Sequence, residues 1–223
     1  MAKKVLIFGG PGPATNIGQA IVHANSIGYN EYEFEGYIND YIEEKEILGY
    51  PVVGGYKDIP YLLDKGYYFL HTVLKIGGMP ERIEKFEECN IPIDRLATFI
   101  HPMSFVMPTV TLEPGVVVMP FATVSANSIV RKCTLVMTNV FIGLTCEIGS
   151  YNFLAPQTCL GSWITTGTGV WTGFNSTVRG RTILNDYCSL GAGSVLTKDI
   201  PKNELWVGNP AKFHKNVMDR IKF

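Results

Sequence analysis

The chain has 223 residues with 19 Lys and Arg against 20 Asp and Glu, a formal charge of −1, which gives no electrostatic reason to expect nucleic acid or an anionic membrane as partner. With 46 % apolar and 17 % charged side chains it is globular rather than disordered, and long enough for one large domain or two small ones. The apolar run at residues 5–10 is too short for a signal peptide or a membrane span, and five cysteines (Cys89, Cys133, Cys146, Cys159, Cys188) without CxxC spacing point to reduced thiols, a cytoplasmic setting and no metal site.

The first half alternates strand and helix signals. Residues 4–9 predict a buried strand running into a glycine-rich turn, residues 9–13, and residues 14–27 predict a helix closed by Gly28. Tyr32–Ile38 reads as a second strand ending at Asn39 and Asp40, and residues 56–65 read as a helix. A strand over 67–76 and a helix over 80–89 follow. Such alternation implies a small parallel sheet with Rossmann-like crossovers.

From Val106 the grammar changes. Steps of six meet an aliphatic residue at fourteen of sixteen positions up to Leu196, the exceptions being Thr166 and Thr172. The fifth positions, from Val110 to Ser194, are small or β-branched, and glycine recurs at the second (Gly143, Gly149, Gly161, Gly167, Gly173, Gly191), where it is expected to permit the turn. A six-residue period fits neither a 3.6-residue helix nor a hairpin sheet. It fits a short strand plus a corner, three of which close a triangular coil of eighteen residues. Between Ile148 and Val178 there is no charged side chain, as expected of a surface covered by something.

This hexad pattern, with residues 190–201 (LGAGSVLTKDIP) and 207–212 (VGNPAK), resembles the left-handed β-helix acyltransferases. The glycine-turn domain in front and the bridging residues 99–102 (FIHP) make it similar to the sialic acid O-acetyltransferase and bacillosamine N-acetyltransferase group of bacterial sugar acyltransferases. The resemblance implies a nucleotide-sugar-binding domain over 1–98, a left-handed parallel β-helix over 99–206, a tail over 207–223, and a homotrimer whose subunit contacts include 148–178. It also implies acyl-CoA as co-substrate in the groove between subunits. Gly161, Ser162, Phe174, Gly191 and Ala192 match positions that contact pantetheine, and Lys198 and Lys212 lie where the nucleotide end of CoA would emerge. In the front domain, Gly10, Gly12 and Pro13 match a turn that can meet phosphate or sugar oxygens. Asn39 and Asp40 match contacts to base or ribose, and Ile76 and Gly77 another edge of that pocket. The three-glycine spacing of an NAD site is missing.

The departure is at the chemistry. Where the family carries its general-base histidine in a Glu-His-Asp or Glu-His-Glu run, this chain has Gly143, Leu144 and Thr145; a second family histidine is Phe153 here. His101, at the entry to the repeat, is expected to pack or cap. Hydroxyl acylation needs general-base help, typically about 10²–10⁴ in rate, whereas a sugar amine with a pKa of roughly 8 is partly neutral at cytoplasmic pH. The sequence therefore favours N-acylation over O-acylation, by direct amine attack, and the resemblance implies a nucleotide-linked 4-amino-4,6-dideoxy sugar as the acceptor. Asn139 and Asp94 are the candidates to orient the amine or polarise the thioester. Leu144 and Phe153 make the site apolar enough for acetyl or a longer acyl chain, and the resemblance implies a group such as 3-hydroxybutyryl as one candidate. O-acetylation and a non-catalytic binding trimer remain the alternatives.

Overall fold

The computed structural model describes residues 2–217. Its first strand, β1 (Lys3–Phe8), is buried completely from Val5 to Phe8, because both faces of the sheet are covered. Val5 and Ile7 point to Ile17 and Ile21 of α1 (Pro13–Ser26). Leu6 and Phe8 point the other way, to Ile59 and Leu62 of α2 (Ile59–Asp64) and Phe86 of α3 (Met79–Glu87). The period-2 alternation of a strand thus feeds two separate helix contacts. With β2 (Tyr32–Ile38), β3 (Glu46–Ile47), β4 (Tyr50–Gly54) and β5 (Tyr68–His71), the sheet order is β3-β4-β2-β1-β5; only the β3/β4 pair is antiparallel.

Two local expectations change. The β3/β4 hairpin has no sequence signature, because its two-residue loop places Leu48 as well as Gly49 at positive φ, 48° and 80°, where Asn-Gly is the usual signal. The strand expected over 67–76 stops at His71. Its ladder partner β1 ends at Phe8, opposite His71, and the Thr72 hydroxyl donates to the Phe8 carbonyl at 2.6 Å, closing the strand.

From β6 (Phe99–Ile100) to β22 (Val195–Leu196) the chain winds into two-residue strands six residues apart, each paired in parallel with the strand eighteen residues on. Three parallel sheets form the faces of a prism, the regular arrangement of a left-handed β-helix. The first face starts at Phe105, the second at Thr111 and the third at Phe99. A hairpin, β23 (Glu204–Gly208) and β24 (Ala211–Asn216), extends the third face, so a strand begins three residues before the expected tail; residues 218–223 of that tail lie outside the described residues. The inward residues Val118, Val124, Val130, Val136, Ile142 and Ile148 are fully buried.

The second-position glycines do not make the turns. Left-handed φ recurs instead at the fourth position of every hexad from Gly115 to Gly193, mostly on residues with side chains such as Asn127, Asn139, Gln157 and Trp163. The second position needs glycine for a different reason: a Cβ on Gly143 would lie 2.6 Å from the Gly161 carbonyl carbon, and one on Gly161 2.5 Å from the Gly180 amide nitrogen. Successive coils touch there. The two non-aliphatic inward residues are also accounted for. Thr166 donates to Asn152 Oδ1 at 2.7 Å and Thr172 pairs with Thr158 at 2.9 Å, so each polar inward side chain meets a polar fifth-position partner from the coil before.

The third face is covered by the front domain. Its outward residues Val117 and Leu135 are fully buried and Phe153 nearly so, in one apolar cluster with the α1 side of the front sheet. Outward residues of the first face are open: Phe105 is 59 % exposed and Phe141 43 %.

Candidate functional site

The sheet order creates a switch point. The chain leaves β1 for β2 on one side and later crosses over to β5 on the other, so the connections that leave the paired carboxyl ends of β1 and β5 run apart and leave a crevice above them. A cleft of about 300 Å³ opens there. Gly9, Gly10 and Pro13 form one wall, Asn39 and Asp40 a second, and Thr72, Val73 and Leu74 a third. An adjoining cleft of about 260 Å³ shares Tyr41, Tyr56, Val73 and Arg82 and adds Lys85.

The strand-end residues are held by the backbone. Asn39 donates its amide to the Gly9 carbonyl at 3.0 Å and accepts from the Tyr41 N–H at 2.8 Å, so it sets the shape of the rim. Asp40 accepts from the Tyr56 N–H at 3.0 Å and pairs with Lys85 at 3.0 Å. Lys85 also donates to the Tyr41 hydroxyl at 2.9 Å and sits 4.3 Å from the centre of the Tyr56 ring. Its hydrogen bond to Tyr41 and the Asp40 carboxylate hold its ammonium above the usual lysine range against the cost of burial. Gly12 caps α1 at φ 127°, its N–H donated to the Thr15 hydroxyl at 3.2 Å. Ile76 and Gly77 lie outside the cleft lining, because β5 ends five residues before Ile76. Gly77 instead meets the C-terminal chain, where a Cβ would fall 2.5 Å from the Val217 carbonyl oxygen.

On the prism, the expected residues occupy different places. Asn139 is exposed at the corner leading into the first face, in the left-handed conformation at φ 60°. Leu144, 38 % exposed, is at the corner leaving that face, with its N–H donated to the Ser162 hydroxyl at 3.1 Å. Gly161 and Ser162 stack above Leu144; Phe174, Gly191 and Ala192 stack above Asn139, at the other corner. Within one chain the two sets of expected pantetheine contacts therefore flank the first face without meeting. Phe153 does not join Leu144. Nine residues make one and a half hexads, so Phe153 falls on the third face, buried beneath the front domain with its ring 4.1 Å from that of Trp171. Asp94 is exposed in the short turn Ile93–Arg95 between the domains, away from both corners. The uncharged run 148–178 likewise winds through all three faces, since it spans more than one eighteen-residue coil: Phe153 is covered, Thr165 is on the second face, and Cys159 and Thr177 are on the first.

Lys198 and Lys212 do come together. They line a cleft of about 260 Å³ with the rings of Trp206 and Phe213 at the end of the prism. His101 is buried, with its Nδ1 accepting the Met103 N–H at 3.1 Å, so its Nε2 carries the proton and donates to His23 Nδ1 at 3.0 Å. Burial and the neighbouring His23 push its pKa below the usual value. His71 is buried with neither ring nitrogen partnered, and His214 is exposed on β24. His101 stands in the corner column that leads into the first face, two coils before that of Asn139, but it is fully buried and both its ring nitrogens are committed. No other histidine lies on the first face or its corners.

Sequence reasoning missed Tyr41, Tyr56, Arg82 and Lys85 at the cleft. The available signals were the aromatic directly after Asn39-Asp40 and two cations three residues apart on one helix face. It also missed Trp163 and Arg181, stacked at 4.4 Å above Leu144.

No family model matches the chain. Among solved structures, it is similar to PerB from Caulobacter crescentus in complex with CoA and GDP-perosamine, with TM-score 0.80 and 24 % identity over 96 % of this chain and 99 % of that one. It is also similar to the acetyltransferase domain of PglB from Neisseria gonorrhoeae in complex with acetyl coenzyme A, with TM-score 0.80 and 24 % identity over 96 % and 100 %. At this identity the shared property is the fold, along nearly the whole length. A curated relative, galactoside O-acetyltransferase from Escherichia coli, is 37 % identical over 59 residues, which span 26 % of this chain and 29 % of that protein's length.

Proposed function

We propose that this chain, which shares its whole fold with PerB and the PglB acetyltransferase domain, is an acyl-CoA-dependent N-acyltransferase acting on a nucleotide-linked amino sugar. PerB binds CoA together with GDP-perosamine, and both ligand classes have a counterpart in the geometry here. A nucleotide fits the switch-point cleft, and the paired cations Lys198 and Lys212 beside Trp206 suit the phosphates and adenine of CoA. The reading implies a homotrimer in which a second copy covers the open first face, bringing the Asn139 corner of one subunit against the Leu144 corner of the next.

One observation supports the amine: no imidazole is free at the first face, and His101 is locked by Met103 and His23. The neutral amine adds to the thioester carbonyl, the C–S bond breaks, and the proton lost from nitrogen goes to the departing CoA sulfur. Positioning supplies much of the acceleration. Asn139 is the candidate to hold the amine, and Leu144 leaves room for acetyl or a longer acyl group. Thiol release from acetyl-CoA and from 3-hydroxybutyryl-CoA, with dTDP-, UDP- and GDP-linked amino sugars, tests this directly. Turnover is expected to rise with the amine's own titration and to fall to near nothing with the hydroxyl analogue. Equal turnover of the hydroxyl sugar would favour O-acylation, and ligand binding without thiol release would favour a binding protein.

A further inference from the structure

We propose that the switch-point cleft holds a nucleoside diphosphate by a two-point clamp: the Arg82 guanidinium takes the diphosphate and the Tyr41 ring takes the base. This rests on the nucleotide-sugar reading above and assigns it residues that the sequence did not offer.

The glycine turn is a poor phosphate cradle. Pro11 and Pro13 have no N–H, the Gly9 N–H is spent on the Ile38 carbonyl and the Gly12 N–H on Thr15, so within the turn only Gly10 has an uncommitted amide. Charge compensation must come from a side chain. Two cations line the adjoining clefts, and they differ in availability. Lys85 is bound to Asp40 and the Tyr41 hydroxyl and flanked by the Tyr41 and Tyr56 rings, 4.8 and 4.3 Å away. Arg82 has no hydrogen bond or ion pair among the described residues, yet lines both clefts, and a guanidinium pairs with phosphate in a bidentate fork.

Tyr41 is 73 % exposed, although its hydroxyl is tied to Lys85. A large ring held at its tip and open on a face offers a stacking platform at the cleft mouth.

The clamp separates its two points in binding. Calorimetry with the full chain compares UDP, dTDP and GDP with uridine, thymidine and guanosine. One diphosphate is expected to bind more tightly than its nucleoside, with the difference shrinking as salt rises. Arg82→Gln is expected to remove about tenfold or more of the diphosphate's advantage and leave the nucleoside unchanged. Tyr41→Ala is expected to weaken nucleoside and diphosphate alike by about tenfold, and Tyr41→Phe much less for both. Both side chains are solvent-accessible, and unchanged melting temperatures check folding. Equal effects of Arg82→Gln on nucleoside and diphosphate, or none on either, overturn the clamp. Failure of every diphosphate to bind the unaltered chain overturns it too. Thiol release distinguishes the two ideas: turnover with an unchanged acceptor KM in Arg82→Gln defeats the clamp and leaves the acyltransferase standing.

Discussion

His71 ends β5 inside the molecule, its ring 4.3 Å from Phe86 and 5.4 Å from Tyr151, with both nitrogens unpartnered. Burial, and secondarily Arg82, lowers its pKa from 6.5 to about 3. The unfolded chain therefore binds a proton that the folded chain refuses. As pH falls below 6.5 the native state loses about 1.4 kcal/mol per pH unit on this account, until the folded value is reached. His71→Phe keeps the ring contacts and removes the proton, so its melting temperature is expected to fall less between pH 6.5 and 4 than that of the unaltered chain. At pH 7.5 the variant should be as stable or more so, because two unsatisfied nitrogens leave the core. His101 is different, since both nitrogens are used. Glutamine can accept from Met103 and donate to His23, so His101→Gln is expected to hold stability within about 1 kcal/mol, while His101→Leu loses about 1–3 kcal/mol by stranding its partners. In thiol release, His101→Gln is expected to stay within about tenfold of the unaltered chain, short of the 10²–10⁴ that follows loss of a general base.

Among the elements, the hexad separates two demands that look alike in sequence. Gly161 is needed because a Cβ would strike the next coil, whereas Gly193 meets only a left-handed φ of +66° that residues such as Asn139 and Asn175 adopt at the same hexad position, with nothing within 4 Å of the added carbon. Gly161→Ala is therefore expected to cost several kcal/mol, on the scale of overpacking at a site that cannot yield, roughly 1–3 or more. Gly193→Asn should cost less than about 1 kcal/mol, because asparagine tolerates left-handed φ. Urea midpoints of the two variants check the contrast. The β3/β4 hairpin and the early end of β5 were illegible for related reasons. Leu48 carries no turn signal, and the apolar residues after His71 continue a strand-like pattern after the neighbouring strand has gone.

In the whole molecule, one prism face is covered by the front domain and the first face is open and uncharged, with outward residues Phe105, Thr123, Phe141, Cys159, Thr177 and Val195. Three copies closed in a ring through that face would make the chain trimeric, bury Cys159 and leave no thiol fully exposed. Light scattering is expected to give three chains per particle at micromolar concentration, with Cys159 slow toward thiol reagents. Thr177→Arg, which puts a charge at the centre of that contact, should yield smaller particles and a fast-reacting Cys159. A stable monomer of the unaltered chain would remove the trimer and the groove built on it.

The sequence by itself determined the prism, because a six-residue period held over sixteen hexads leaves an inward aliphatic row no other way to be buried. It also located the turn at Gly9–Pro13 and the Asn39-Asp40 strand end, since strand length and glycine placement are local properties. Tertiary structure decided which residues share a surface. Hexad counting puts Phe153 on a face and Leu144 at a corner, and only the placement of the front domain on the third face makes the first buried and leaves the second open. It also decided which cations are free: Arg82 and Lys85 are neighbours on α3, and the Asp40 carboxylate, forty-five residues from Lys85 in the chain, claims one and leaves the other to the cleft.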